Sequence, residues 1–329
     1  MDVWEKLKEK AAMIEPLMRN YADFGNDSIK QMVLHPIVAG GKRVRPCMVL
    51  LACEAVGGNI EKILPAAVSV ELLHTFTLVH DDIMDHDLKR RGKPTVHAIW
   101  GEELGIVVGD TLYSSAFKAL TDIRKSGIDS DTILDALEVL VWANSKIQEG
   151  QIMDMLFEKR NDVKEDEYMD MIQKKTGVLI EASLEIGAIL GNGSEDEING
   201  LGRFGRYIGM AFQIQDDILG LVGDEKAVGK PIGSDITEGK KSLIVIHSLN
   251  NLKGIEKEKL LKLLGNKDIG DKELKIAKDM LIKSGSVEFA KTAVKKLCED
   301  AKKELNVIRD SDAKNTLLEL ADFMIERKF

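Results

Sequence analysis

Proline is scarce in this chain: none lies between Pro94 and Pro231 and none follows Pro231, so two long stretches lack the strongest helix breaker. Cysteine is scarce too. Cys47, Cys53 and Cys298 form no C-x-x-C pair, and an odd number cannot pair completely within one chain, so reduced core thiols are expected. No disordered tail or membrane span is evident, and the charged opening Met1-Asp2-Val3-Trp4-Glu5-Lys6-Leu7-Lys8 lacks the apolar run of a signal peptide. A cytoplasmic protein is the expectation. Positive charge is in deficit, and a net charge of -9 argues against a general nucleic-acid binder. No Gly/Ser linker, composition break or solenoid repeat divides the 329 residues, which are therefore read as one domain, 1–329.

Hydrophobic residues at 44% and charged residues at 31% fit a globular protein with a large core. The apolar spacing is helical: Ile133, Leu137, Leu140 and Val141 recur at three- and four-residue steps, as one buried helix face requires. Alternating strand patterns with hairpin turns are hard to find. An all-α helical bundle follows, with helices expected near 2–20, 27–36, 43–56, 64–87, 102–125, 130–160, 166–191, 195–223, 240–250, 256–266, 271–284, 287–308 and 313–327. Asp129 and Ser130 are candidate caps, and Gly191-Asn192-Gly193 reads as a stop before a cap at Ser194. The glycine-rich segment from Gly223 to Lys241 reads as an ordered loop or lid.

Two acidic clusters, His80-Asp81-Asp82-Ile83-Met84-Asp85 and Gln213-Ile214-Gln215-Asp216-Asp217, sit in apolar helical sequence. Asp81 and Asp85, four residues apart, share a helix face and can chelate oxygen-ligated ions, while Asp82 points about a quarter-turn away. Facing carboxylates in an apolar bundle need a neutralising cation, and Mg2+ suits hard oxygen ligands completed by a diphosphate. Zinc is disfavoured because neither the His spacing nor a thiolate set provides for it. Gly40-Gly41-Lys42-Arg43-Val44-Arg45-Pro46 places basic side chains at a helix start, which favours an anion, but it lacks the Walker A spacing. Arg90-Arg91-Gly92-Lys93-Pro94-Thr95 would add bidentate phosphate donors. A solvated acidic helix end and solvated basic turns are the bland alternatives.

Gly41-Lys42-Arg43-Val44-Arg45-Pro46, D-D-x-x-D at 81–85, Arg-Arg-Gly-Lys-Pro-Thr, Lys175-Thr176-Gly177, Phe212-Gln213-x-x-Asp216-Asp217 and Gly229-Lys230-Pro231 occur in an order and spacing that resemble the trans-isoprenyl diphosphate synthases of the polyprenyl synthetase family. The resemblance spans about 35 to 245. It implies an isoprenoid-synthase bundle with a central cavity, in which Lys42, Arg45, His74 and Arg91 hold isopentenyl diphosphate. It implies that Asp81, Asp85 and Asp216 ligate three Mg2+ ions around an allylic diphosphate, supported by Asp82 and Asp217. Arg90, Lys175, Lys230 and Lys240 would neutralise the departing diphosphate, and Thr176 and Gln213 would face the developing carbocation. The chain departs from the family pattern at Gly220, where a third aspartate usually stands. Phe76 and Thr77 fall at the positions that stop chain growth, and their pairing resembles archaeal geranylgeranyl and farnesyl diphosphate synthases. A homodimer is implied as well. The alternatives are a noncatalytic subunit of a heteromeric synthase and a class I terpene cyclase.

Overall fold

A computed structural model describes residues 2–223 and 233–326. The chain begins with α1 (Val3–Asn20), α2 (Asp27–Val38), α3 (Val44–Val56) and α4 (Ile60–Met84), followed by a hairpin of β1 (Lys89–Arg90) and β2 (Lys93–Pro94), then α5 (Val96–Trp100) and α6 (Glu102–Thr121). After a 3-10 turn come α7 (Ser130–Glu158), α8 (Glu165–Ile172), a π turn (Gln173–Gly177), α9 (Val178–Leu190) and α10 (Glu195–Val222). The remainder is α11 (Ser234–Glu238), α12 (Leu243–Asn251), α13 (Gly254–Leu263), α14 (Asp271–Lys283), α15 (Ser286–Glu304), a short 3-10 turn and α16 (Asp312–Glu326). Among the described residues the two-residue strands are the only sheet, so the all-α expectation holds.

The chain divides into two compact units: Met1–Asn144 with Leu179–Arg203 and Glu304–Leu320, and Ser145–Val178 with Phe204–Lys303 and Ala321–Phe329. The first is organised around α4, which packs on α1, α3 and α6. By length and apolarity α4 could cross a membrane, yet 67% of its most apolar window is buried inside the protein, which makes it a core helix. Leu72 and Leu73 on α4, Leu50 and Leu51 on α3 and Leu112 on α6 are fully buried, each stabilising the fold by about 1.5–3 kcal/mol. In the second unit Phe204, Ile208, Ala211, Ile214 and Ile218 give α10 a buried stripe at three- and four-residue steps, and α12 packs on α8 and α14.

Local chemistry explains where helices begin and stop. α4 starts at Ile60 rather than 64 because Asn59 caps it, accepting from the Glu61 N–H at 2.9 Å. It stops at Met84 rather than 87. The His86 N–H donates to Ile83 O (3.2 Å) and the Asp87 N–H to Asp82 O (2.9 Å), with His86 in the left-handed region at φ 56°, which is a Schellman ending with His where Gly is usual. Asp129 caps α7, donated to by the Asp131 and Thr132 N–H groups, and Ser194 with Glu197 forms a capping box at α10. Three features were not expected. Arg91 (φ 52°) and Gly92 (φ 75°) make the two-residue turn of the β1–β2 hairpin, the conformation that suits strand twist. The helix expected over 166–191 contains the π turn. Part of the expected loop from 223 to 241 is helical, as α11, while 224–232 lie outside the described residues.

Candidate active site

In the first unit the tip of α4 carries Asp81, half-buried, and Asp85, exposed. The Asp85 N–H donates to Asp81 O at 2.8 Å, so the helical rise continues through the cap and the two carboxylates remain one turn apart. Asp82 is buried on another side of the helix, where it accepts from Arg90 Nε at 2.5 Å. Burial raises its pKa against the opposing pull of Arg90. The pair Asp82–Arg90 therefore ties the hairpin to the carboxylate-bearing helix tip.

Beside it lies a cationic pocket. Arg45 Nη1 lies 3.3 Å from His74 Nε2, and burial, reinforced by Arg45, Arg91, Arg90 and Arg43, holds the His74 pKa well below its ordinary value. His74 is thus a neutral imidazole at neutral pH, able to accept from the guanidinium. Gly41 has φ 142°, a backbone conformation that favours glycine, and the Arg91 guanidinium lies close to it, with Nη1 2.6 Å from where a Cβ would stand. Lys42 places Nζ 4.9 Å over the Trp4 ring. Arg43, between these groups, is different: it is buried, pairs with buried Glu71 at 2.6 Å and donates to Ile37 O at 2.5 Å. The only sequence signal for this pair was a lone Glu in the apolar run of α4. Below the tip, Thr77 Oγ1 bonds His74 O (2.8 Å), and Phe76 stacks edge-on against His80 (4.8 Å) and tilts against Tyr113 (5.2 Å), which meets Phe117 at 4.9 Å. No motif in the sequence marks Tyr113 and Phe117, which stand four residues apart on α6.

The second unit holds the other acidic cluster and its cations. Lys175 Nζ bonds Asp154 Oδ2 at 2.6 Å, and Lys240 Nζ reaches the same oxygen at 3.3 Å and Glu158 Oε1 at 2.7 Å. Burial pushes the Asp154 pKa up, but the two ammonium groups outweigh it and the net direction is down, so the carboxylate is charged. Asp154 was not anticipated from the sequence, and its signal would have been an acid one turn beyond Gly150 on an apolar helix. A hydrogen-bonded chain joins the polar residues of α10 to the π turn: Thr176 Oγ1 donates to Gln213 Oε1 (2.8 Å), Gln213 Nε2 to Asp217 Oδ1 (2.9 Å), and Tyr168 OH to Asp217 Oδ2 (2.7 Å). Burial, then Asp235 and Asp216, push the Asp217 pKa up to about 7. At Gly220 a Cβ would lie 3.3 Å from Asp235 Oδ2, so a carboxylate from α11 stands beside the position where one is missing from the α10 sequence. Lys230 lies outside the described residues.

The donor chemistry fits magnesium: the α4 tip in the first unit offers the hard carboxylate oxygens of Asp81 and Asp85, and the α10 cluster in the second unit offers those of Asp216 and Asp217. All three cysteines are buried and unpaired, with pKa values pushed up to about 12 by desolvation, so they offer no thiolate to a softer metal.

Comparison with known proteins gives a consistent answer. The model of the family described as polyprenyl synthetase matches residues 26–281. A short chain isoprenyl diphosphate synthase of Methanothermobacter thermautotrophicus is 44% identical over 328 residues, covering 100% of this chain and 98% of the relative. The crystal structure of a geranylgeranyl pyrophosphate synthetase from Pyrococcus horikoshii superimposes with a TM-score of 0.92 at 43% identity, covering 99% of this chain and 98% of the other. A polyprenyl synthase from Caulobacter crescentus, complexed with calcium and isoprenyl diphosphate, gives 0.90 at 29% identity over 99% and 98% of the two chains.

Proposed function

The chain belongs to the polyprenyl synthetase family and is a short-chain trans-prenyltransferase with the all-α isoprenoid-synthase fold, and from that premise we propose that it condenses isopentenyl diphosphate with dimethylallyl, geranyl and farnesyl diphosphate to give farnesyl and geranylgeranyl diphosphate. The observation that carries this reading is the pocket of Arg45, neutral His74 and Arg91 next to the carboxylate tip of α4. A terpene cyclase ionises one diphosphate and needs no second anion pocket; a condensing enzyme must hold two.

Lys42, Arg45 and Arg91 bind the isopentenyl diphosphate, with His74 orienting the Arg45 guanidinium by accepting its N–H. Asp81, Asp85 and Asp216 hold Mg2+, which when bound supplies positive charge to the oxygens of the allylic diphosphate. Asp82 fixes Arg90, and Arg90, Lys175, Lys230 and Lys240 draw the diphosphate away as the C1–O bond breaks. Asp154 aligns Lys175 and Lys240 without neutralising both. Thr176 and Gln213, already bonded to each other, turn uncharged oxygens toward the cationic carbon, and the surrounding apolar wall keeps water out. The isopentenyl double bond attacks C1, a proton leaves the neighbouring carbon for the released diphosphate, and the product is an allylic diphosphate five carbons longer. No side-chain nucleophile takes part.

Asp235 stands in for the aspartate absent at Gly220, which favours a working catalyst over a noncatalytic subunit. The two units act as one synthase domain, 1–329, supported by a family match that runs through segments of both. Homodimerisation is supported by the exposed apolar side chains Leu104 and Val107 on α6 and Leu134 and Val141 on α7. A reducing compartment such as the cytoplasm accords with three buried free thiols. The test is incubation of the purified protein with Mg2+, isopentenyl diphosphate and each allylic diphosphate in turn, followed by product sizing. Products of C15 and C20 are expected, and complete inactivity with every primer would end the proposal.

A further inference from the structure

Two consecutive lysines leave the π turn and engage α7 at two levels. Lys174 Nζ bonds Glu149 Oε1 at 2.5 Å, and also Asp170 Oδ2, four residues back on its own helix, at 2.8 Å. Lys175 Nζ bonds Asp154 at 2.6 Å. Glu149 and Asp154 are five residues apart, roughly 7.5 Å along the helix axis, so the two ammonium groups cannot exchange partners. Between them the backbones come together: a Cβ on Gly150 would lie 2.3 Å from the Lys175 backbone nitrogen. The crossing point is thereby fixed to one residue.

A π turn holds one residue more than the α turn it replaces. If the segment relaxed to α register, side chains beyond it would rotate by about 100° and shift by about 1.5 Å relative to α8. Lys175 would then swing off Asp154, and Thr176 off Gln213. Something must hold the extra residue in place: the close approach at Gly150 sets where the π turn meets α7, and a side-chain anchor adds to it. Lys174 restrains rotation, because its side chain is only 16% exposed and is held from two directions by Glu149 and Asp170. Glu149 is itself steadied by Lys146 Nζ at 2.8 Å, and the hydrogen bonds from Lys146 and Lys174 lower its pKa to about 2, so it remains ionised throughout the working range.

We propose that Lys174 is a positioning residue for prenyl transfer: its ion pairs with Glu149 and Asp170 lock the π register that aims Lys175 and Thr176 at the allylic substrate. This rests on the assignment of Lys175 and Thr176 to that substrate made above.

The experiment is steady-state kinetics, each substrate varied in turn, on Lys174→Met, Lys174→Arg, Glu149→Gln and Lys175→Gln, with amide hydrogen exchange over residues 170–180. A displaced Lys175 costs geometry at the reacting centre, so Lys174→Met should lower kcat by about ten- to a hundredfold. It should also raise KM for the allylic diphosphate, leave KM for isopentenyl diphosphate unchanged and speed exchange in the π turn. Lys174→Arg should restore most of kcat, and Glu149→Gln should move in the same direction as Lys174→Met by less. Wild-type constants and exchange in Lys174→Met would overturn the proposal, as would a loss that tracks a lower melting temperature with no rescue by Arg. Unchanged kinetics in Lys175→Gln would remove the catalytic assignment instead, and the exchange rates in Lys174→Met would still decide whether Lys174 locks the register.

Discussion

Gly220 and Asp235 are neighbours: the space a Cβ would occupy on Gly220 is 3.3 Å from Asp235 Oδ2. A carboxylate fifteen residues later, on the short helix α11 that follows a left-handed Gly233, thus stands beside the α10 position that lacks one, and on the reading proposed above it takes that aspartate's part.

The consequence can be measured by moving the charge. Asp235→Asn should raise the Mg2+ concentration for half-maximal activity by about ten- to a hundredfold, the usual cost of losing an outer carboxylate. Gly220→Asp in that background should recover much of the loss, while a magnesium titration of the double variant no better than that of Asp235→Asn would show the two positions to be unrelated.

Asp154 holds two ammonium groups on one buried carboxylate. Asp154→Leu leaves two part-buried ammonium groups without their shared partner and should destabilise the protein by about 3–5 kcal/mol in urea denaturation. The pH dependence has a definite sign. The folded-state pKa of Asp154 is depressed, so its contribution is present above the ordinary carboxylate pKa and fades as pH falls toward the folded value. The difference in stability between wild type and Asp154→Leu should therefore shrink between neutral pH and the acid range, and a constant difference would contradict the assignment.

In the proposed function Phe76 stops the growing chain, and Tyr113 packs against it. Phe76→Ala should shift products beyond C20, and because the Tyr113 ring stands 5.2 Å behind Phe76, the lengthening should be limited until Tyr113 is also replaced by Ala. Chromatographic sizing settles the matter: an unchanged distribution in Phe76→Ala would show that the stop lies elsewhere.

Arg43 looks like a member of the anion pocket in sequence but is committed to the core. Arg43→Met should cost about 3–5 kcal/mol of stability, since it strands buried Glu71. The molecules that remain folded should keep the wild-type KM for isopentenyl diphosphate. Arg45→Met should do the reverse, raising that KM with little loss of melting temperature.

Both acidic clusters, the basic turn before α3, the Arg-Arg-Gly hairpin and the π-turn lysine were visible as motifs, because each is a run of neighbouring residues. The helices were visible too, since apolar steps of three and four are a property of one segment alone; even the quarter-turn separation of Asp82 from Asp81 and Asp85 follows from the helical repeat. Arg43 and Arg45 could not be told apart in this way. Two residues separate them in sequence, but one meets Glu71 and the other His74, both on α4.

The amino-acid order by itself determined an all-α protein whose carboxylate pairs cap apolar helices and whose cations come in short clusters, since those properties depend only on spacing within a segment. Tertiary structure alone decided that Asp154 serves Lys175 and Lys240, that Asp217 is held by Tyr168 and Gln213, that Asp235 stands beside Gly220 and that residues 173–177 take a π turn. Most of these partners lie on different helices, and which side chains meet across a helix contact is set by close packing at points such as Gly150, which no local periodicity encodes.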